Sequence, residues 1–242
     1  MDISICASAL RPAQWKATYD SLTQNSIEWE LIYTGPNEPN FELPKNFIFI
    51  KSLVKPSQCY QISFNQAKGE LLCWTADDCL YPPNALDNIY KFYKSFNDNK
   101  IVVAFRTIED SRDITEVHRF IGRNPNAPRM APFGVVNTEM FRKLGGYDRR
   151  FICGQSENDV VMRFLEIGGR VEISSVPIYV EHQKAHHASG TKFRSSWFKE
   201  DRKVLEDAWM ENGQILTKRK YPVESFSEVD ITSITQSQKG DW

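Results

Sequence analysis

Short apolar runs alternate with stretches of helical spacing through the first half of this chain, and that alternation restricts the fold most. Strand-length runs separated by helices pair as a parallel sheet only through crossovers, which lay the helices on the sheet's faces. Residues 3–7, 29–33, 47–50, 70–74 and 101–105 read as strands. Between them, 12–22 reads as a helix with Trp15, Tyr19 and Leu22 on one stripe. A second helix, 58–67, is ended by Gly69, and Pro82-Pro83 is expected to open a third that runs to Phe96. The second half continues with a strand at 133–136, a short helix stopped by Gly145-Gly146 and a helix at 158–167 closed by Gly168-Gly169. Strands at 171–173 and 178–180 follow, then an amphipathic helix at 197–209 with Phe198, Val204, Leu205 and Trp209 as its buried stripe. The stretch 106–129, which holds Arg112, Arg119, Arg123 and Arg129, reads as loop with some helix. The expected fold is α/β, a mixed and mainly parallel sheet flanked by helices. One domain is expected over 1–221, with a Ser-, Thr- and Gln-rich tail over 222–242.

Composition narrows the function classes. The 242 residues are 41% hydrophobic and 25% charged, figures of an ordinary globular protein. A net charge of −1 argues against a general nucleic-acid binder, which carries a broad basic excess. No apolar run approaches the ~20 residues that span a bilayer, so any membrane contact is expected to be peripheral. The five cysteines lack zinc-site spacing and are odd in number, which points to a reducing compartment. Asp2 stands where a signal peptide has basic residues, so a cytoplasmic location is expected.

Three groups of residues carry candidate chemistry. Asp77-Asp78 stands directly after the apolar run 70–74, and ligands of open α/β sheets bind beyond the carboxyl ends of strands. Paired carboxylates there can hold Mg²⁺ or Mn²⁺, or can form a solvated turn that starts the next helix. His182 follows the last strand and reads either as an ion ligand or as an exposed loop histidine, with His186 and His187 as weaker candidates. Ser156 and Asp159 have the spacing of a capping box, and Asp159 with Arg163 the spacing of a helical ion pair. Both readings absorb Asp159 and leave Glu157 as a candidate general base.

These pieces, in this order, resemble glycosyltransferase family 2, inverting enzymes of the GT-A fold. The likeness is carried by Lys143-Leu144-Gly145-Gly146-Tyr147-Asp148-Arg149-Arg150-Phe151, and by Glu157 through Arg163 to Gly168-Gly169. A second segment, from Ala67-Lys68-Gly69-Glu70 through Asp77-Asp78 to Pro82 and Leu86, is also similar, and the whole likeness covers 3–182. The resemblance implies that Asp77 and Asp78, with His182 as third ligand, bind the donor's diphosphate through Mn²⁺ or Mg²⁺, and that Glu157 is the base. It puts Ala7, Ser8, Thr34, Gln61 and Thr75 on the donor side, and Phe133, Gly134, Gly145, Gly146 and Asp159 on the acceptor side. The chain departs from the family pattern at Thr75, where an Asp is common, and at Gln61, where Asn is usual. It departs again at Tyr33-Thr34-Gly35-Pro36, which lacks the usual Asp pair, and at Ala7-Ser8-Ala9.

The expected function is transfer of a sugar from a nucleotide donor, UDP- or GDP-linked, to a hydroxyl of a glycan or other acceptor. A non-catalytic nucleotide-sugar or glycan-binding module of the same fold is the alternative, and a metal-dependent nucleotidyltransferase is a weaker one. The nucleotidyltransferase needs a glycine-rich basic loop after the first strand, and Leu10-Arg11-Pro12 is a poor match.

Overall fold

The computed structural model describes residues 1–115, 118–122, 124–180 and 191–226, without the side chains of 191–196. The first half is β1 (Ile3–Ser8), α1 (Pro12–Leu22), β2 (Trp29–Gly35), β3 (Phe47–Lys51), α2 (Pro56–Gln66) and β4 (Leu71–Trp74). It continues with β5 (Cys79–Leu80), α3 (Ala85–Lys94), β6 (Ile101–Glu109) and β7 (Arg112–Asp113). The second half is β8 (Gly134–Asn137), α4 (Thr138–Lys143), α5 (Ser156–Glu166), β9 (Arg170–Val180), α6 (Thr191–Trp209), β10 (Met210–Glu211) and β11 (Gln214–Ile215).

The main sheet runs β3-β2-β1-β4-β8-β6-β9-β5, with β7 paired to β6. Strands β3, β2, β1 and β4 are mutually parallel, β8 lies antiparallel between β4 and β6, and β6 runs parallel to β9. Strand alternation sorts the core into two layers. Ile3, Ile5 and Ala7 of β1 pack with Trp15 of α1 and with Leu86 and Ile89 of α3. Cys6 faces the other way, with Phe64 of α2, Phe141 of α4, Val160 and Phe164 of α5 and Leu205 of α6. The mixed, mainly parallel α/β sheet flanked by helices is thus the fold that the alternation of runs implied.

Local departures have local causes. Helix α3 starts only at Ala85, because Asn84 takes a left-handed conformation (φ 59°) and leaves Pro82-Pro83 in the turn before it. Strand β6 outruns its apolar stretch because β9 pairs with it from Ile101↔Arg170 to Glu109↔Val180. The stretch expected as loop with some helix therefore begins as strand and turns back through β7. The two strands expected at 171–173 and 178–180 are one. The pairing jumps from Ala104↔Ile173 to Arg106↔Pro177, so a bulge at Ser174, Ser175 and Val176 breaks the alternation without breaking the strand. In α6, Leu205 and Trp209 are fully buried as expected, whereas Phe198 is 42% exposed and lies against the loop at Gly154. The boundary expected at residue 222 falls inside bonded chain. Arg149 N donates to Glu224 O at 2.8 Å, and Arg150 Nη2 donates to Pro222 O at 3.1 Å.

Candidate functional site at the carboxyl lip of the sheet

Strand β4 ends at Trp74 and delivers Thr75-Ala76-Asp77-Asp78 to the lip, beside the chain leaving β1. There Asp77 is fully buried and saturated. Its Oδ2 accepts from the backbone N–H of Leu10 (2.7 Å) and Arg11 (2.6 Å) and from Trp15 Nε1 (2.9 Å). Its Oδ1 accepts from Arg11 Nε at 2.9 Å and from Arg11 Nη2. The same guanidinium reaches Asp78, with Nη1 2.7 Å from Oδ2. Burial opposes the charge on Arg11, but Asp77 and Asp78 outweigh it and hold the guanidinium protonated.

This arrangement does not fit the divalent ion expected between the two carboxylates. An ion would have to strip Asp77 of five N–H donors and displace Arg11 from Asp78, and Mg²⁺ or Mn²⁺ needs oxygen lone pairs that Asp77 no longer has. Among the described residues no group of three or more His, Cys, Asp or Glu is placed to hold a metal. His182, His186 and His187 lie outside the described residues. Val180, the last residue of β9, pairs with Cys79 and so stands next to Asp78.

Of the residues expected on the donor side, Ala7, Ser8, Thr34 and Thr75 stand at strand ends on this lip and Gln61 lies within α2, and most are turned inward. Ala7, Thr34 and Thr75 are fully buried, and Gln61 is 8% exposed. Thr34 Oγ1 bonds Ser63 Oγ at 2.8 Å, and Thr75 Oγ1 accepts from the Tyr81 hydroxyl at 2.9 Å. Gln61 Oε1 accepts from Tyr147 N at 2.8 Å while its Nε2 donates to Asn65. Ser8 remains partly exposed. Gly35 is required here: a Cβ on it would stand 1.7 Å from the carbonyl oxygen of Ala9.

On the other side of α2, Glu157 sits half-buried in the first turn of α5. Burial is the main cause that pushes its carboxyl up to about 7, and the nearby charge of Asp201 adds to it. The capping box expected from Ser156 and Asp159 does not form. Gln155 is the N-cap, in a left-handed conformation (φ 63°), and Ser156 Oγ donates instead to Ser57 Oγ of α2 at 2.8 Å. The expected ion pair does form, with Arg163 Nε 3.0 Å from Asp159 Oδ2. Asp159 is fully buried and also accepts from Trp209 Nε1 (2.8 Å) and Arg219 Nε (2.9 Å), so it faces this network and presents no surface to an acceptor. Of the other residues expected on the acceptor side, Phe133 is partly buried, and Gly134 lies under the Trp74 ring in the β4–β8 pair. Gly145 and Gly146 take positive φ (93° and 68°), and Gly146 lies against the Gln61 amide, where a Cβ would meet Oε1 at 2.7 Å.

Tyr60 joins the two halves. Its hydroxyl donates to Thr75 O, and that hydroxyl, raised mainly by burial, also feels the charges of Glu157, Asp77 and Asp78. Sequence reasoning missed Tyr60, Arg11 and Asp201, because each acts through partners 15 to 66 positions away. A basic residue just before a helix-opening proline was a signal only for Arg11. A separate open cleft of about 600 Å³, lined by residues including Lys143, Arg163, Arg219 and Lys220, lies at the far end of α5, away from this lip.

No protein-family model matches the chain, and no curated protein matches it by sequence. Solved structures do match it in fold. Residues 1–349 of TarS from S. aureus, in complex with UDP-GlcNAc, align at a TM-score of 0.60 and 11% identity, over 76% of this chain and 59% of that one. GalNAc-T7, solved with UDP, GalNAc and Mn²⁺, aligns at a TM-score of 0.63 and 12% identity, over 87% of this chain and 48% of that one. Both are glycosyltransferases of GT-A-like fold. The chain thus spans about three fifths of the TarS fragment and about half of GalNAc-T7, and what it shares with them is the architecture.

Proposed function

We propose that this protein transfers a glycosyl group from a nucleoside-diphosphate sugar to an acceptor hydroxyl, with inversion, and that Glu157 is the general base. The observation that carries the reading is Glu157 itself. It is a half-buried carboxylate held near neutrality, sharing the surroundings of the Tyr60 hydroxyl with the carboxyl lip of a GT-A-like sheet. In the reaction, the acceptor oxygen attacks the anomeric carbon as the bond from that carbon to the diphosphate breaks. The acceptor proton passes to Glu157, a contribution typically worth about 10²–10⁴ in rate. A base with a pKa near the working pH is best matched to that task. Charge that builds on the departing diphosphate must be met at the lip by cations or N–H donors, and Arg11 is a described cation there.

UDP in the two similar structures supports a UDP-sugar as donor, ahead of a GDP-sugar. The Mn²⁺ in the GalNAc-T7 structure is the support for a divalent ion, but the saturation of Asp77 is against it and no step is routed through one. The odd number of cysteines, without zinc-site spacing, is the support for a reducing, cytoplasmic setting. A glycan or other hydroxyl compound is the acceptor in this reading, and nucleic acid is not.

The inward-turned Thr34, Gln61 and Thr75 favour one rival, a module of the same fold that binds a sugar nucleotide or glycan without turnover. A panel of UDP-, GDP-, CDP- and dTDP-sugars, read by thermal shift and by release of nucleoside diphosphate, separates the two. Stabilisation with release is expected. Stabilisation without release from any donor and acceptor would favour the module, and no stabilisation by any donor would end the transferase reading and leave only a module that binds glycans.

A further inference from the structure

Glu157 can act as a base only if the first turn of α5 is held in place, and the side-chain bonds of Ser156 to Ser57 and of Asn158 to Gln155 leave the loop before it still to be fixed. The N-cap side chain makes no capping bond, and the loop that feeds the helix, residues 151–155, would have three adjacent N–H groups to satisfy. Those groups converge on one side chain from a distant element. Asp201 of α6, fully buried, accepts from Ile152 N at 2.7 Å, Cys153 N at 2.7 Å and Gly154 N at 2.8 Å. Three successive N–H groups around one anion form a backbone nest, with the anion supplied here by the fold itself. The loop is pressed flat on the same helix, since a Cβ on Gly154 would stand 2.5 Å from the Phe198 ring. From the other side, Ser57 of α2 donates its N–H to Ile152 O and accepts from Ser156.

We propose that Asp201 is a positioning residue for Glu157: by gathering the N–H groups of the loop before α5, its carboxylate fixes where the Glu157 carboxylate stands and how readily it takes a proton. This rests on the transferase reading for its catalytic consequence, but the link between the two carboxylates does not. Among the described residues, the titratable groups whose fields meet Glu157 are Asp201 of α6, Tyr60 of α2 and Tyr147 of the turn after α4. Burial drives both tyrosine hydroxyls far above the physiological range, so they stay neutral while Glu157 titrates. Among the described residues, Asp201 is therefore the neighbour whose charge Glu157 feels, and the three N–H groups counter the burial that raises Asp201.

Asp201→Asn keeps the shape and one acceptor oxygen but removes the charge. In donor-saturated transfer assays with a UDP-sugar, kcat should fall about tenfold or more while donor KM stays within about twofold, as expected for a misplaced base. The acid limb of the kcat–pH profile should move down by about half a pH unit or more, a change that a merely structural role does not produce. An unmoved limb, with only a lower Tm, overturns the proposal. Should the variant not fold, carboxyl ¹³C NMR of the wild type decides. A Glu157 titration near pH 7 that is sensed by the Asp201 resonance upholds the link, and two independent titrations refute it. A wild type that turns over no sugar nucleotide defeats the transferase reading, while the NMR titration still judges the link.

Discussion

At Asp77, five N–H donors meet one buried carboxylate, and this changes what substitution there should do. A metal ligand can be replaced with little loss of fold, whereas one partner of a buried ion pair cannot. Asp77→Ala is expected to cost about 3 kcal/mol in urea unfolding, because it takes one of two carboxylates from Arg11 and strands the N–H groups of Leu10, Arg11 and Trp15. In the unliganded protein, Mn²⁺ at millimolar concentration should leave Tm unchanged, and a rise of several degrees would restore the divalent site at Asp77 and Asp78. Glu157 has the opposite character. Its folded pKa of about 7 lies above the ordinary 4.5, so the fold disfavours the charged form. Stability from this group is fully present below about 4.5 and is lost as pH rises through about 7. Glu157→Gln should therefore match the wild type in Tm near pH 4.5, exceed it at pH 8 and lose transfer activity at every pH. Lower stability than the wild type at pH 8 would contradict the buried-base assignment.

Among the elements, α5 is the one that the C-terminal segment holds. Its Asp159 and the neighbouring Asp148 are fully buried, and Arg219 bridges them, Nε to Asp159 Oδ1 at 2.9 Å and Nη2 to Asp148 Oδ2 at 2.8 Å. Burial works against the charge on Asp148, but Arg150 and Arg219 keep it below the ordinary carboxylate range. Arg219 side-chain exposure is only 4%, so solvent screens this pair little. Arg219→Met should lower stability by about 3 kcal/mol or more, read by urea denaturation. A loss under 1 kcal/mol would mean that Arg150 and Arg163 neutralise the two acids without it.

For the whole molecule, the same network ties the segment around Arg219 and Glu224 to the folded body. Relative to a chain ending at residue 226, one ending at 216 lacks Arg219 and Glu224 and should melt about 5 °C or more lower. Circular dichroism melts compare the two. Much of the fold was legible in the chain because strand and helix periods are local: 12–22 was marked as a helix by its own apolar spacing and opening proline. Glu157 was singled out as a candidate because the capping and ion-pair spacings absorbed Asp159; the ion pair forms, but Gln155 is the N-cap and the Ser156 hydroxyl turns to Ser57. The long β9 was not legible, because a bulge interrupts the alternation that a reader counts while β6 continues the pairing. Nor were the fates of Asp77 and Asp201. Two carboxylates of the same chemistry end as an ion-pair anchor and a loop clamp solely because Arg11 lies across the sheet lip from one, and three N–H groups lie across a helix face from the other. Sequence alone set the succession of elements and the chemical groups on offer, since hydrophobic period and residue type act over a few positions. Which charge meets which partner was decided only by the packed chain, since Coulomb and hydrogen-bond energies depend on separations that folding creates between residues far apart in sequence.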